Sequence, residues 1–171
     1  MPSALMRRSG IAAVHISKLI GFNPKTVVQA GVGLNHQEVD CIWEQWPDVE
    51  FFGFEPNPIL FKKLRGKYPG YLSNFAVSNN SGTADLHFRR RHKDGSSLNG
   101  LDFKADIEAW LPRVRIGGVL AGHDFAPGYG GVKQAVRELF GNKFKKNLDV
   151  WFIQITEEMK CQTSICYDGK S

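Results

Sequence analysis

The sequence predicts an α/β fold with a mostly parallel, doubly wound sheet. Short apolar runs alternate with amphipathic stretches, and glycine or proline marks the junctions between them. The chain has 171 residues, of which 42% are apolar, so it can form one proper core but is short for two ordinary domains. We therefore expect a single domain over residues 1–171, with an N-terminal helical region (1–22), a core (23–155) and a tail (156–171).

The first half of the chain alternates helix and strand. Val39, Ile42 and Trp46 recur at helical spacing, and Pro58 suits the first turn of a helix. Apolar, β-branched and aromatic runs between such stretches indicate buried strands. The predicted elements are a helix at 11–20, a strand at 26–30, a helix at 35–46, a strand at 49–56, a helix at 58–68 and a strand at 71–79.

The alternation changes after the third strand. Only a few residues separate that strand from the next one, 83–88, which is too few for a helical crossover, so 83–88 is expected to return as an antiparallel hairpin arm. Pro112 predicts an irregular end to the helix in which it lies. The remaining predicted elements are a helix at 103–114, a strand at 117–125, a helix at 130–141, a strand at 149–155 and an edge strand in the tail.

Charge and composition narrow the function classes. The net charge is +5, and its excess lies in two clusters, "RRRHK" at 89–93 and "NKFKKN" at 142–147. Such clusters can bind RNA phosphates, but they lack the interleaved aromatics that base stacking needs, and more often they are solvated faces. The apolar stretch at 11–22 is too short and too polar to span a bilayer. Three cysteines without zinc or disulfide spacing favour a reducing, cytoplasmic setting.

The segment "VVQAGVGLN", residues 27–35, has the form of a strand followed by a ligand-binding loop. Gly31 and Gly33 would allow the backbone to approach a ligand. A dinucleotide fingerprint would need a third glycine where His36 stands, so that class is excluded. Glu55 ends the second strand, where an acid can accept hydrogen bonds from ribose hydroxyls. The structural alternatives are a plain tight turn and a carboxylate that caps the next helix.

Four segments, of which the glycine loop is the first, carry a resemblance to a known family. "VVQAGVGLN", "FGFEPNPILFKKL", "SNFAVSNNSGTADLHF" and "DGSSL" resemble the FkbM-type family of S-adenosylmethionine-dependent methyltransferases over residues 27–98. The resemblance implies a Rossmann-like class I methyltransferase fold, a three-layer α/β/α sandwich. It places the loop glycines beside the methionine part of the cofactor, Glu55 on the ribose and residues 74–76 near the adenine. The implied cofactor-binding residues are Gln29, Gly31, Gly33, Glu55, Asn57, Asn74 and Ala76.

Residues 102–154 are similar to class I domains linked with O-methylation of sugars and natural products. The matching pieces are "DIEAWLPRVRIGGVLAGHDF", "GVKQAVRELFG" and "DVWFIQ". The resemblance implies that His123 and Asp124, at a strand tip, face the substrate. His123 would be the general base toward a hydroxyl, and Asp124 would help to hold a divalent metal such as Mg²⁺. The structural alternative for His123 is a strand-end histidine satisfied by neighbouring backbone.

Two departures from the family pattern bear on activity. Gln29 replaces the usual acid of the first motif, and Asn35 replaces its last glycine. Between Phe88 and Phe103 there is no apolar run for the usual fourth strand, which in the family lies beside the first. We therefore expect strand 117–123 to lie next to strand 26–30, or the sheet to be poorly formed there.

Three functions follow as hypotheses. The first is S-adenosylmethionine-dependent methylation of a hydroxyl on a small molecule or sugar. The second is a degenerate methyltransferase-like domain without catalytic activity. The third, ranked last, is an RNA-binding or RNA-modifying domain. Neither membrane association nor a particular oligomeric state is predicted.

Overall fold

A computed structural model of the chain describes residues 4–33, 37–77, 82–83, 85–88, 96–97 and 103–164. Within it the chain forms two compact units, Met1–Gly100 and Leu101–Ser171. Helices and strands occur in both units, which confirms a mixed α/β structure. The expectation that the whole chain makes a single domain stays a prediction.

The first unit contains a parallel three-stranded sheet with the order β1-β2-β3. Its elements are α1 (Ala4–Leu19), β1 (Thr26–Ala30), α2 (Gln37–Gln45), β2 (Glu50–Phe54), α3 (Pro58–Leu64), β3 (Tyr71–Ser73), β4 (His87–Phe88) and β5 (Ser96–Ser97). The first six agree in type and order with the predicted alternation. Because all three strands of this sheet run in parallel, their carboxyl ends lie at one edge, where β1 leads into the glycine loop and β2 into Glu55.

The core of the first unit lies between the sheet and its helices. Phe51 of β2 is buried with Val39 of α2 and Leu64 of α3, as the helical and strand periodicities predict. Gly53, two residues further along β2, faces the ring of Tyr68, which is close enough to exclude a side chain there. Strand β1 is less enclosed, since Val28 remains 46% exposed.

The prediction that strand 83–88 forms an antiparallel hairpin with the third strand was wrong about the pairing partner. Strand β3 ends at Ser73, and directly after it the Asn74 side chain bonds the backbone that follows β2, so the described residues 74–77 do not continue the predicted strand. Strand β4 pairs in antiparallel fashion with β5 instead, with His87 opposite Ser97. Strand β4 lies within the predicted strand 83–88, whereas its partner β5 lies outside every predicted element.

The second unit has an antiparallel sheet with the order β6-β8-β7. Its elements are α4 (Phe103–Trp110), a 3-10 turn (Leu111–Arg113), β6 (Val119–Gly122), α5 (Gly130–Phe140), β7 (Lys145–Asn147), β8 (Val150–Gln154) and α6 (Glu157–Ser164). The change from α-helix to 3-10 geometry around Pro112 confirms the predicted irregular end. Val136, Trp151 and Ile155 are among the most deeply buried side chains of this unit's core.

Two features of the second unit correct the sequence predictions. Strand β7 was missed, because "KKN" is polar; its lysines lie on a strand that pairs on one side with β8. This places part of the second basic cluster on a sheet edge, where lysines are common. The predicted tail strand was also wrong over residues 157–164, which form α6, with Glu157 and Glu158 favourably placed in the first turn. Residues 165–171 lie outside the described residues.

The expected pairing between strand 117–123 and strand 26–30 is not observed. In the described part of the chain, β1 pairs with β2 and β6 pairs with β8, and the two ladders belong to separate sheets. Within the same described residues, no helix is long and apolar enough to cross a membrane.

Candidate functional site

The loop after β1 depends on glycine for its backbone conformation. Gly31 and Gly33 both have φ of +74°, in the left-handed region that other residues rarely adopt. A Cβ at either position would meet no atom of the described residues within 4 Å, so among these residues it is backbone conformation, and not crowding, that requires glycine. The Gly31 N–H donates to the Phe54 carbonyl at 2.8 Å, which extends the β1–β2 pairing into the loop.

Glu55 joins this loop to the end of β2. Its side chain is only 3% exposed, and its Oε2 accepts a hydrogen bond from the Gly33 N–H at 2.7 Å. Its Oε1 accepts from the Asn57 N–H at 2.9 Å. Burial raises the pKa of Glu55, and the two backbone hydrogen bonds partly oppose that rise. The Glu55 carboxylate thus links the loop that follows β1 to the loop that follows β2.

Asn57 begins α3 as its N-cap residue. Its Oδ1 accepts from the Ile59 N–H at 3.0 Å and from the Leu60 N–H at 3.4 Å, and Pro58 occupies the first helical turn. Such a cap contributes about 1 kcal/mol to helix stability. The alternative in which Glu55 serves the start of the next helix is therefore partly correct: Glu55 bonds the N–H of the capping residue, while Asn57 caps the helix itself.

Asn74 connects the third strand to the same edge. Directly after β3, its Nδ2 donates to the Glu55 carbonyl at 2.8 Å and to the Pro56 carbonyl at 3.2 Å. Ala76, two residues further, is half-buried. The carboxyl ends of β1, β2 and β3 are therefore linked through Gly33, Glu55 and Asn74, at the edge where ligands of open parallel sheets bind.

Gln29 has a partner that the sequence analysis missed. Its Nε2 donates to Oε2 of Glu38, in the first turn of α2, at 3.2 Å. Its own Oε1 is enclosed, with no hydrogen-bond partner in the described part of the chain. In the sequence, Glu38 could have been noticed as an acid in the first turn of the helix that follows the glycine loop.

A shallow cleft in the first unit lies at a different place from these residues. It is lined by Pro24, Lys25, Gln45, Trp46, Pro47, Asp48 and Val49. These residues precede β1 and β2 or end α2, so the cleft lies at the amino ends of the strands. Ligands of open parallel sheets bind at the opposite edge, so we do not assign the cofactor to this cleft.

His123 and Asp124 follow β6 directly, as predicted for a polar strand tip. His123 Nδ1 lies 3.1 Å from Asp124 Oδ2, and the two side chains are 53% and 36% exposed. Asp124 has φ of +65°, which is uncommon outside glycine but tolerated best by residues such as aspartate. A carboxylate at Nδ1 favours the imidazole form that carries its proton there, so Nε2 is the nitrogen with a lone pair.

The described residues do not by themselves fit the metal role of Asp124. A Mg²⁺ or Ca²⁺ ion takes about six oxygen ligands or more, and Asp124 offers one carboxylate, of which one oxygen already faces His123. Over the residues described here, there is no group of three or more His, Cys, Asp or Glu that could hold a metal ion.

Only the second of the two basic clusters falls within the described residues. The first, at 89–93, lies outside the described residues. In the second, Lys143 forms an ion pair with Glu158 at 3.1 Å, and Lys145 and Lys146 belong to β7.

Comparison with protein-family models gives no match, and comparison with curated proteins gives no significant match. The fold itself defines a mixed α/β protein that contains a parallel three-stranded sheet and separate antiparallel sheets.

Proposed function

We propose that this chain is an S-adenosylmethionine-dependent methyltransferase of Rossmann-like class I architecture that methylates a hydroxyl of a small molecule or sugar. The observation that carries the proposal is the 2.7 Å hydrogen bond between the Gly33 N–H and Glu55. It joins a left-handed glycine loop and a buried acid at the carboxyl edge of parallel strands. These are the two features that the resemblance to FkbM-type enzymes implies for the methionine and ribose parts of the cofactor.

The residues present fit such a cofactor. Each Glu55 oxygen accepts one backbone N–H, and a carboxylate oxygen has two lone-pair sites, so both oxygens retain capacity for a ribose hydroxyl. The space beside Gly31 and Gly33 is open on the side where a Cβ would point.

The chemistry needs few protein groups. When bound, the sulfonium cofactor supplies an activated methyl group. The chain must hold the cofactor by its ribose and amino-acid parts, align it, and accept a proton from the acceptor hydroxyl. His123 is our candidate for that proton acceptor through Nε2, and Asp124 stabilises the imidazolium that results.

One observation favours the second hypothesis, a degenerate domain. In the described part of the chain β1 has the single strand partner β2, and Val28 in β1 is 46% exposed, whereas the family places a further strand beside the first. A folded chain that shows no calorimetric binding of S-adenosylmethionine would support that alternative and overturn the enzyme proposal.

Replacement of Gly33 by alanine tests the cofactor loop, with Gly66→Ala as a matched control. Both glycines have nearly the same φ, +74° and +77°, and neither Cβ would meet an atom within 4 Å. Each replacement should cost about 1–2 kcal/mol of stability, because a non-glycine residue is strained there. Only Gly33→Ala should weaken S-adenosylmethionine binding. We expect a loss of about tenfold in affinity, which corresponds to roughly 1.4 kcal/mol of binding free energy. Isothermal calorimetry measures both, and equal affinities of the two variants would contradict the assignment of the loop.

Replacement of His123 by glutamine tests the proton acceptor. We expect methyl transfer to a hydroxyl acceptor to slow by about 10²–10⁴-fold, which is what a positioned base contributes. Cofactor affinity should not change, because the proposed role of His123 is toward the acceptor hydroxyl and none of the proposed cofactor-binding residues is replaced. His15→Gln, at an exposed position on α1, is the control. A transfer rate unaffected by His123→Gln would remove this residue from the mechanism.

A further inference from the structure

The pair formed by Gln29 and Glu38 has features that the proposed function leaves unexplained. Gln29 lies on β1, one residue before the strand ends, and Glu38 lies in the first turn of the next helix, α2. Both side chains are half-buried. Their Nε2···Oε2 distance of 3.2 Å fixes the direction of the Gln29 amide, because a carboxylate only accepts hydrogen bonds and must face the NH₂ group.

That orientation leaves the Gln29 carbonyl oxygen unsatisfied. Oε1 is enclosed and has no donor among the described residues. Buried polar atoms without a partner are rare in folded proteins, and each one calls for a physical explanation. In its present orientation this enclosed oxygen is out of the reach of a ligand, so a ligand donor would meet it only after the amide turns.

The charge of the pair selects the kind of donor. Glu38 supplies a carboxylate and Gln29, once its amide turns, a carbonyl oxygen, so the pair then presents acceptors that suit a group with several donors and a positive charge. A primary ammonium has three donors and one positive charge. When it lies on the Glu38 carboxylate, rotation of the Gln29 amide about its broad terminal torsion turns Oε1 toward the same cation.

We infer that Gln29 and Glu38 form an ammonium-binding subsite that holds the amino group of the cofactor's amino-acid part. This inference rests on the proposed function, which places that part beside the neighbouring glycine loop. In this arrangement the negative charge comes from helix α2 and not from the end of β1. Gln29 therefore does not weaken the site; it is the neutral partner that allows Glu38 to be the single carboxylate there.

The pair makes a specific prediction about restoring the usual acid. Gln29→Glu alone would place two carboxylates at the present 3.2 Å contact, where like charges cannot both ionise easily. We expect that variant to bind the cofactor no better than the natural chain. The double variant Gln29→Glu with Glu38→Gln exchanges the two groups and keeps one carboxylate and one amide, so it should retain affinity.

The test measures calorimetric affinities for two ligands. S-adenosylhomocysteine carries the amino-acid part, and 5′-methylthioadenosine lacks it. Glu38→Gln should weaken S-adenosylhomocysteine binding by about tenfold, the loss expected for one charge-assisted hydrogen bond, and leave 5′-methylthioadenosine binding unchanged. The exchanged double variant should recover S-adenosylhomocysteine binding to within about threefold of the natural chain, since it keeps the same charge. Glu50→Gln, which removes an exposed carboxylate at the start of β2, should alter neither ligand.

The outcomes separate the two proposals. If Glu38→Gln weakens both ligands equally or neither of them, while the natural chain binds S-adenosylhomocysteine, the subsite is wrong and the proposed function stands. If the exchanged variant binds S-adenosylhomocysteine as weakly as Glu38→Gln, the shared-charge explanation is wrong. If the natural chain is folded and binds neither ligand, the proposed function fails, and the subsite fails with it.

Discussion

Replacement of Glu55 by alanine is expected to lower the free energy of unfolding by about 3 kcal/mol and to abolish cofactor binding. The change leaves the Gly33 and Asn57 N–H groups without their acceptor, and each such unpaired buried group costs about 1–3 kcal/mol. It also removes the proposed ribose acceptor. Urea denaturation gives the stability, and calorimetry with S-adenosylmethionine gives the binding.

Glu50→Ala is the matched control for this change. Glu50 lies at the start of the same strand and is exposed, so its removal should change stability by less than about 0.5 kcal/mol. If Glu55→Ala were as stable as Glu50→Ala, the carboxylate would not hold the two loops together. If Glu55→Ala lost stability at the level of Glu50→Ala but lost all binding, Glu55 would act on the ligand alone.

Glu55 also predicts how stability depends on pH. Burial is the larger influence and raises its pKa in the folded state above its ordinary value. The folded chain then binds this proton more tightly than the unfolded chain does. Glu55 therefore contributes stability at acid pH that is lost as the pH rises through the raised pKa. Glu55→Gln, which cannot titrate, should remove this part of the pH dependence. Cofactor affinity should rise over the same window, because ribose hydroxyls donate best to the ionised carboxylate.

Replacement of Gly70 by alanine should lower the free energy of unfolding by about 3 kcal/mol, at the upper end of overpacking costs. Gly70 lies just before β3, and a Cβ there would stand 2.3 Å from the Phe51 carbonyl oxygen and 2.7 Å from the Phe51 Cβ. Backbone atoms cannot rotate away as a flexible side chain can. The β2–β3 pairing must therefore shift, and Asn74 would lose its position after β3.

Gly130→Ala is the control for Gly70→Ala. Gly130 begins α5, and a Cβ there would meet no atom within 4 Å. Alanine should be neutral or slightly stabilising at that position, since glycine is the poorer helix former. Thermal unfolding followed by circular dichroism compares the two variants. A Gly70→Ala protein as stable as Gly130→Ala would show that β2 and β3 are not packed as closely as described.

The sequence predicted those parts of the candidate site whose signal is local. The glycine pair, the acid at the end of β2 and the His123–Asp124 tip all stand where short motifs placed them. Glu38 was missed because its role depends on the side chain of Gln29, nine residues away across a loop. Its identity as an acid in a first helical turn is too common to indicate a partner.

The fold shows the same division. Hydrophobic periodicity and the positions of glycine and proline predicted the type and order of most helices and strands, because the type of an element is set by side chains within that element. Strand pairing was predicted less well: β4 pairs with β5, and β7 was not predicted because its residues are polar. Residues 157–164, in the tail that was expected to supply an edge strand, are helical. Pairing depends on which distant backbone groups meet, and short or polar strands carry little information on that.

By itself, the sequence determined that this protein has a mixed α/β structure with a glycine loop and an acid after successive strands. Only the tertiary structure decided that Glu55 joins the two loops by bonding Gly33 and Asn57, and that Gln29 turns its amide toward Glu38. The physical reason is that hydrogen bonds between side chains and distant backbone form only when the sheet has brought the strand ends together. Local residue patterns cannot specify them.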